Sequence, residues 1–528
     1  MTITSLVEYT KIFAQSTSLE VKAHGEVYTP LSLVTQMLDK LPPHVWSDPN
    51  LKWFEPACGL APFLFLSYQR LMIGLEPTFP DSSQRSHHIL ETMFYFNELQ
   101  EKNLKQIKQL FNSASYKLSI FEGSFFDIRL VKADIIVGNP PYNSPGSIST
   151  GNIIWNKFVR YIFSQDLLAP NGFLLLVHPP LWRKPVTARS PVHGLYALLT
   201  QQHQLLYLDI NDMEMGKKVF GCGTRYDWYL VENKVPYTTT VVKCEKGELH
   251  TLKLEEWPWL PNTEFDLIGR LMGGSRGSDD DLQKVIYSRS IYGADKSWVS
   301  KEKNGVYLYP LVHSTVKKGV VMRYSSVKGE NDGMFGVSKV IVGESGIGEP
   351  VIDVSGEYGL THNCFGLGVR DKEEAEELVR FLQSEVFGRV ERGCCWSVFR
   401  LDHGVFSSLR EGFWRGFVIP ESVSVLVSDD NCQVMTGKGT QCSRKSVDGC
   451  YCKQHKGHAS SMLKSTSSVS QADATSSSSA SLDHQKLQES IGKRGYTVDQ
   501  LKSYCRERQL KFKSSDKKAV LRELLLVS

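Results

Sequence analysis

The sequence has no apolar run near the ~20 residues that cross a bilayer. A chain without a membrane-spanning helix is therefore expected. Met1 to Ser18 lacks a basic segment followed by an apolar block, so no secretory leader is expected either. Cysteine is scarce and irregularly spaced, 11 in 528 residues, which does not make a disulfide framework. A reducing, intracellular setting is the expectation. No pair of nuclease motifs is evident, so cleavage of nucleic acid is not expected of this chain. Strong net charge is missing too: the formal value is +4.

What is present is an ordinary globular composition, 41% hydrophobic and 22% charged. A chain of 528 residues is too long for one core, so two or three domains are expected. The charge is uneven. Residues 484–528 carry +6, residues 430–458 carry +3, and residues 1–429 carry about −4. Basic charge gathered at one end suits a nucleic-acid anchor. On charge alone it is equally a solvated tail.

The chain is organised around Ala133-Asp134-Ile135-Ile136-Val137-Gly138-Asn139-Pro140-Pro141-Tyr142-Asn143. The apolar run reads as a buried parallel strand. It must end at Gly138, because neither proline can donate to a ladder. A rigid loop at the carboxyl edge of a parallel strand is where α/β folds bind ligands. The Asn139 side-chain oxygen and the Pro140 carbonyl are acceptors that suit the two hydrogens of an exocyclic amine. Tyr142 offers a ring face, and stacking on a base contributes ~1–3 kcal/mol. In isolation the segment is equally a strand followed by a proline-rich turn.

Upstream, Gly25-Glu26-Val27-Tyr28-Thr29-Pro30 leads into a helix, with Thr29 as its cap and Pro30 in its first turn. Trp53-Phe54-Glu55-Pro56-Ala57-Cys58-Gly59-Leu60-Ala61-Pro62 reads as a strand, a tight turn and the helix Phe63–Met72. Gly59 permits close backbone approach to a ligand. A polar insert near 77–88 precedes the strand Thr92–Phe96, which ends in Asn97-Glu98. An acidic residue there commonly takes a ribose diol; an ordinary helix-start carboxylate fits as well. Helix Glu101–Phe111, strand Lys117–Phe121 and the turn Glu122-Gly123-Ser124-Phe125-Phe126-Asp127 come next. After the central stretch come a Ser/Gly-rich loop at 143–151, helix Ile153–Phe163, strand Phe173–Val177, helix Tyr196–Gln202 and strand Leu205–Ile210. The strand Tyr226–Glu232 is expected to form a hairpin with Thr238–Lys243 around Val235-Pro236. Alternation at this rhythm predicts an α/β fold with a mostly parallel sheet.

Residues ~25–245 resemble an S-adenosylmethionine-dependent amino-group DNA methyltransferase of the adenine-N6, gamma-like type. The resemblance rests on Tyr28-Thr29-Pro30, Glu55-Pro56-Ala57-Cys58-Gly59 and Asn139-Pro140-Pro141-Tyr142, in that order. Pro56 and Asn139 stand 83 positions apart, which leaves room for two β–α units. The resemblance implies a Rossmann-like methyltransferase domain over 1–245, acting on double-stranded DNA. By the same resemblance Thr29, Pro30, Glu55, Ala57, Gly59, Glu98, Ser124 and Asn139 border the cofactor. Asn139 and Pro140 hold the amine, and Tyr142 stacks on a flipped base. Phe220 matches the aromatic residue opposite Tyr142; a plain core Phe fits its position equally. Two departures stand out. Leu60-Ala61-Pro62 replaces a second glycine, and Ser124 stands where the family often has Asp, with Asp127 three residues on. The resemblance implies a monomer, with any cognate restriction endonuclease on a separate chain.

Residues ~285–425 read as a mixed α/β domain and resemble a target recognition domain; a generic domain of other use is the rival. Its strands are Val306–Val312, Val320–Tyr324, Val337–Val342 and Cys364–Val369, with the helix Glu373–Ser384. In 430–458, Cys432, Cys442, Cys452 and His455 have spacing that suits a closed zinc site, with Cys450 spare. A cysteine-rich tail without metal is the alternative. The pattern resembles Cys/His knots of large-DNA-virus proteins, which implies a viral protein acting in an infected cell. Residues 459–483 are a Ser-rich linker. Residues 484–528 resemble a SAP-type DNA-binding pair of helices, with a purely interacting helical hairpin as rival. Three other activities compete: cytosine-N4 methylation, glutamine-amide methylation of protein, and DNA binding by an inactive methyltransferase domain. Asn139 rather than Ser favours adenine.

Overall fold

Among the described residues, nine strands form one sheet. They are β1 (Trp53–Glu55), β2 (Phe94–Glu98), β3 (Ser119–Glu122), β4 (Ala133–Gly138), β5 (Leu168–His178), β6 (Gln204–Asn211), β7 (Tyr226–Glu232), β8 (Thr240–Lys243) and β9 (Leu249–Leu252). Their order is β3-β2-β1-β4-β5-β7-β6-β8-β9. The computed structural model describes residues 8–11, 28–128, 132–143, 153–273, 281–287, 291–293, 295–316, 319–329, 334–396, 401–417 and 498–507.

The run from β3 to β5 is parallel throughout. β7 lies antiparallel between β5 and β6, β8 returns parallel to β6, and β9 pairs antiparallel with β8. This is a Rossmann-like α/β sheet, the fold class read from the sequence. The chain moves outward from β1 through β2 to β3 and then crosses back to β4. Strand order therefore reverses between β1 and β4, and a ligand crevice opens at such a point.

Sequence pattern accounts for these elements. Ile135, Ile136 and Val137 of β4 are all fully buried, as expected of a strand covered on both faces. Helix Glu101–Leu110 buries Leu104, Ile107 and Leu110, three residues apart, and turns its lysines outward. Helix Pro62–Gly74 buries Pro62 through Tyr68 without a polar face, because its N-terminal half lies inside the core, while Ile73 near its end is exposed. Strand β2 begins two residues later than expected: Ile89–Met93 winds as a π turn on the end of helix Ser82–His88.

The expected β7–β8 hairpin does not form. β5 and β6 already occupy both hydrogen-bonding edges of β7, so β8 takes the free edge of β6 instead. The sheet also runs past 245, to Leu252, through the β8–β9 pair.

Beyond it lie two smaller sheets. One contains β10 (Val285–Ile286), β17 (Cys364–Gly368), β14 (Lys339–Gly343) and β15 (Gly346–Asp353). The other contains β11 (Val299–Ser300), β13 (Gly319–Ser325), β12 (Tyr309–Val316) and β16 (Gly359–Leu360). Helices Lys372–Leu382 and Glu385–Gly393 complete the mixed α/β character. The described residues up to Trp414, with Val498–Glu507, belong to one compact unit, and Arg415–Phe417 fall outside it. The predicted zinc ligands Cys432, Cys442, Cys452 and His455 lie outside the described residues. No helix among the described residues is long and apolar enough to cross a membrane. The cysteines of the described residues are free.

Candidate active site

β1 and β4 are neighbours in register, Trp53 beside Ile135 and Phe54 beside Ile136. Their carboxyl ends therefore emerge side by side, one into Glu55-Pro56 and the other into Gly138-Asn139. A Cβ at Gly138 would stand 3.5 Å from the Pro56 carbonyl oxygen, so the two loops are in contact at their roots. The two motifs, 83 positions apart in sequence, share one crevice.

The loop after β1 is wound by three left-handed residues, Ala57, Gly59 and Ala61, with φ of 54°, 56° and 54°. For the two alanines this costs about 1–2 kcal/mol each, so the surroundings must hold it. The Cys58 N–H donates to the Asn97 carbonyl at 2.9 Å, and the Ala61 N–H to the Cys58 carbonyl at 2.7 Å. The Gly59 N–H donates to Glu98 Oε2 at 2.8 Å. Tyr28 lies over the turn: a Cβ at Gly59 would come within 3.1 Å of its ring. This places Tyr28-Thr29-Pro30 beside the loop. Thr29 is buried but caps nothing; Pro30 holds the cap position and the helix runs Leu31–Leu38, one residue later than expected.

Pro62 takes the first position of helix Pro62–Gly74, where a missing N–H has no intrahelical partner to lose. The departure at Leu60-Ala61-Pro62 is thus compatible with a closed loop. Glu55 accepts the Leu64 N–H at 2.9 Å and fixes the start of that helix from the core. Burial pushes its carboxyl well above the usual range against the pull of the Leu64 and Phe63 N–H groups, and the Glu98 charge adds to the rise.

Glu98 ends β2 on the same edge. Besides Gly59 it accepts the Gln100 N–H at 2.8 Å through Oε1. Burial raises its pKa, and the hydrogen bonds from Gln100 and Gly59 act in the opposite direction. The Gly123 N–H donates to the Glu98 carbonyl at 3.0 Å, which brings the turn after β3 to this edge. In that turn the Ser124 hydroxyl accepts the Phe126 N–H at 3.3 Å, while Asp127 is exposed. A buried carboxylate, a tight turn with residues of positive φ and a Ser-bearing turn converge on the crevice. Glu98, at the carboxyl end of β2, stands where an acidic residue takes a ribose diol, and the turn after β1 lets a cofactor approach its backbone closely.

On the other side, Pro140 is buried and Pro141 is exposed. The Asn139 side-chain oxygen is buried. The Tyr142 carbonyl accepts the Ile154 N–H at 3.0 Å, and Asn143 bridges Ile153, so Tyr142-Asn143 is paired with Ile153-Ile154. The Tyr142 hydroxyl is buried and makes no hydrogen bond among the described residues. Its pKa is raised, first by burial and then by Cys222, Tyr226 and Asp227 nearby. Phe220 closes helix Met213–Phe220, is buried, and meets Tyr226 edge-on at 4.9 Å. Tyr226 therefore stands close to both Phe220 and Tyr142.

Asn97 has no role assigned by the sequence, yet it links the loop after β1 to the end of β3 and the turn that follows. Its carbonyl takes the Cys58 N–H, and its side-chain amide donates to the Phe121 and Gly123 carbonyls at 2.9 and 3.0 Å. The available signal is an Asn inside an otherwise apolar strand, next to the acidic residue at its end.

A Rossmann-like sheet with this crevice is the fold class expected of a methyltransferase domain. No known family profile matches the chain. A stretch of 75 residues is 38% identical to an uncharacterized adenine-specific methylase of Mycoplasma pneumoniae, covering 14% of this chain and 18% of that protein. Similar solved structures include a nuclease-deletion mutant of the Type ISP restriction-modification enzyme LlaGI in complex with a DNA substrate mimic. It is 11% identical, with a TM-score of 0.45 over 75% of this chain and 55% of that one. The Type IIL enzyme MmeI in complex with DNA is 11% identical, with a TM-score of 0.39 over 77% and 67%. A type I restriction-modification methyltransferase subunit from Streptococcus thermophilus is 14% identical, with a TM-score of 0.33 over 46% and 53%. The chain spans about half the length of the type I modification subunits it resembles. None of these structures is close enough to carry an activity to this chain.

Proposed function

We propose that this chain is a DNA methyltransferase that transfers a methyl group from S-adenosylmethionine to N6 of a flipped-out adenine. The observation that carries the proposal is the delivery of Asn139-Pro140-Pro141-Tyr142 by β4 to the crevice bordered by the Glu55–Gly59 turn of β1. The relative's description as an adenine-specific methylase agrees with it.

The chemistry is one of positioning. The target base is out of reach inside a duplex and must leave the stack. Asn139 and the Pro140 carbonyl accept the two amine hydrogens, which draws the nitrogen lone pair out of conjugation and aims it. Tyr142 stacks on the base and, with its phenol held protonated by burial, takes no proton. The bound cofactor supplies an electrophilic methyl group. Thr29, Pro30, Ala57, Gly59, Glu98 and Ser124 border it, and Glu55 holds the helix behind the loop. No strong base is required, because the amine proton becomes acidic only after the new bond forms, and it then leaves to solvent. Orientation and exclusion of water supply the rate enhancement.

Residues 285–425 take the role of sequence recognition in this reading, and the basic segments 430–458 and 484–528 retain the DNA. The test is digestion of DNA to nucleosides after incubation with protein and S-adenosylmethionine, with mass spectrometry of the products, beside Asn139→Ala. N6-methyladenine that vanishes in the variant is expected. N4-methylcytosine would move the target base, and no methylated base with cofactor still bound would sink the proposal.

A further inference from the structure

The turn between β8 and β9 gathers three metal-ligating side chains on one face. In this antiparallel pair Val242 stands opposite His250 and Lys243 opposite Leu249. The Cys244 N–H donates to the Glu248 carbonyl at 2.9 Å and the Gly247 N–H to the Cys244 carbonyl at 2.8 Å, so the ladder continues into the turn. Side chains alternate along each strand. Val242, Cys244, Glu248 and His250 therefore share a face, and Val242 and Cys244 are buried on it.

The ligand atoms already lie close together. Cys244 Sγ is 3.7 Å from Glu248 Oε2. His250 Nε2 is 3.8 Å from the same oxygen, and all three atoms lie within 4.8 Å of one another. Zinc bonds to sulfur, nitrogen and oxygen in tetrahedral geometry place such atoms roughly 3.4–3.6 Å apart. Only a small closure of the turn is needed. His250 Nε2 is moreover buried without a hydrogen-bond partner among the described residues. Its ring is held against Phe265, with centroids 4.7 Å apart. The Glu248 oxygen at 3.8 Å is too far for a hydrogen bond, and a cation between them satisfies both.

We propose that Cys244, Glu248 and His250 bind one zinc ion, with water in the fourth position. Thiolate, imidazole and carboxylate form a donor set that zinc takes readily, and binding releases the Cys244 thiol proton. The Glu245 N–H donates to the Asn262 carbonyl at 3.1 Å. Lys246 pairs with Glu264, which also pairs with Arg389. The ion closes the edge hairpin of the large sheet where that sheet meets the residues leading to the smaller ones. This site is separate from the Cys432, Cys442, Cys452 and His455 set.

The test uses the full chain, purified without chelator, with zinc itself as the probe. Bound zinc is counted per chain in a background carrying Cys432→Ser, Cys442→Ser and Cys452→Ser, which silences the tail. That background should keep one zinc, and its cobalt form should show a sulfur-to-metal charge-transfer band. Adding Cys244→Ser with His250→Ala should remove both. Glu248→Gln, at a side chain 59% exposed, is the variant least expected to disturb folding. Losing a direct ligand, it should weaken zinc binding by at least the roughly tenfold that loss of an outer-shell partner costs. A tail-silenced chain that binds no zinc overturns the proposal. So does zinc affinity that Cys244→Ser and Glu248→Gln leave unchanged.

Discussion

Tyr142 separates stacking from hydrogen bonding within one side chain. Its hydroxyl is buried and without a partner among the described residues, so Tyr142→Phe removes little that the fold uses. Tyr142→Ala removes the ring, and with it ~1–3 kcal/mol of stacking, which corresponds to roughly a ten- to hundred-fold loss in kcat/KM. Steady-state methylation should show Phe within a few-fold of the native enzyme and Ala far below it. Equal losses in both would show that the hydroxyl, not the ring face, does the work. A second residue sets a pH limit. His178 is fully buried, stacked on Trp155 at 4.2 Å. Its Nδ1 faces the Pro179 carbonyl at 3.0 Å and so must donate; its Nε2, 2.8 Å from the Tyr229 hydroxyl, accepts. Both nitrogens are used by a neutral ring, and burial pushes the pKa from 6.5 down to about 3. The unfolded chain binds this proton below about pH 6.5 and the folded chain does not. Stability is therefore complete above that pH. It falls toward pH 3 by about 1.4 kcal/mol per unit from this group alone. Urea midpoints between pH 7 and pH 4 should fall more steeply in the native protein than in His178→Gln, and parallel curves would refute the assignment.

Elements are legible where one local signal suffices. β4 announces itself by an unbroken apolar run stopped by two prolines, and the helix Glu101–Leu110 by spaced Leu and Ile against lysines. β15 is hidden because Gly346, Gly348 and Pro350 read against a strand; Gly348 is needed there since a Cβ would overlap the Thr315 carbonyl. The β7–β8 pairing misleads because sequence shows a turn but not which strand edges are already filled. The site is legible as three motifs because their chemistry is local, whereas Asn97 acts through partners as far as 39 positions away in sequence. Cys244, Glu248 and His250 do not show as a group, because the expected strand stops at Lys243 and nothing in the sequence marks β9. The helix Met213–Phe220 carries the element-scale prediction. Gly216 lets it pack on the loop after it, where a Cβ would overlap the Thr224 carbonyl oxygen. Gly216→Ala must push the helix outward and carry Phe220 with it. If Phe220 borders the flipped base, KM for DNA should rise several-fold with cofactor binding unchanged. An unchanged KM would leave Phe220 as core alone.

Across the whole molecule, one buried arginine ties the large sheet to the segments around Asn262 and Cys395. Arg183 meets Asp227 through Nε at 2.6 Å and through a second nitrogen at 3.0 Å, and donates to the Leu260 and Pro261 carbonyls and to Asn262 Oδ1. Asn262 in turn donates to the Cys395 carbonyl at 2.8 Å. A fully paired charge of this kind contributes geometry more than net stability. It keeps the β7 end of the crevice and the residues around Cys395 in one frame, which the proposed division between chemistry at the crevice and recognition by 285–425 would need. The proposed task of the basic tail, holding DNA, is tested separately. Leu501 and Cys505 are buried within the unit that contains the sheet, so deleting the tail would disturb folding as well as charge. Neutralising charge alone is the cleaner change. Arg508→Gln, Lys511→Gln, Lys513→Gln, Lys517→Gln and Lys518→Gln together remove five positive charges from a segment that carries +6. Every phosphate that goes unneutralised flattens the slope of log affinity against log salt by about 0.9. Affinity for DNA should therefore weaken at low salt with a visibly shallower slope, while the ratio between the preferred site and random sequence stays the same. That ratio depends on base contacts from the recognition residues and not on counterion release. A collapse of site preference in the neutralised chain would place sequence reading in the tail and take it away from residues 285–425.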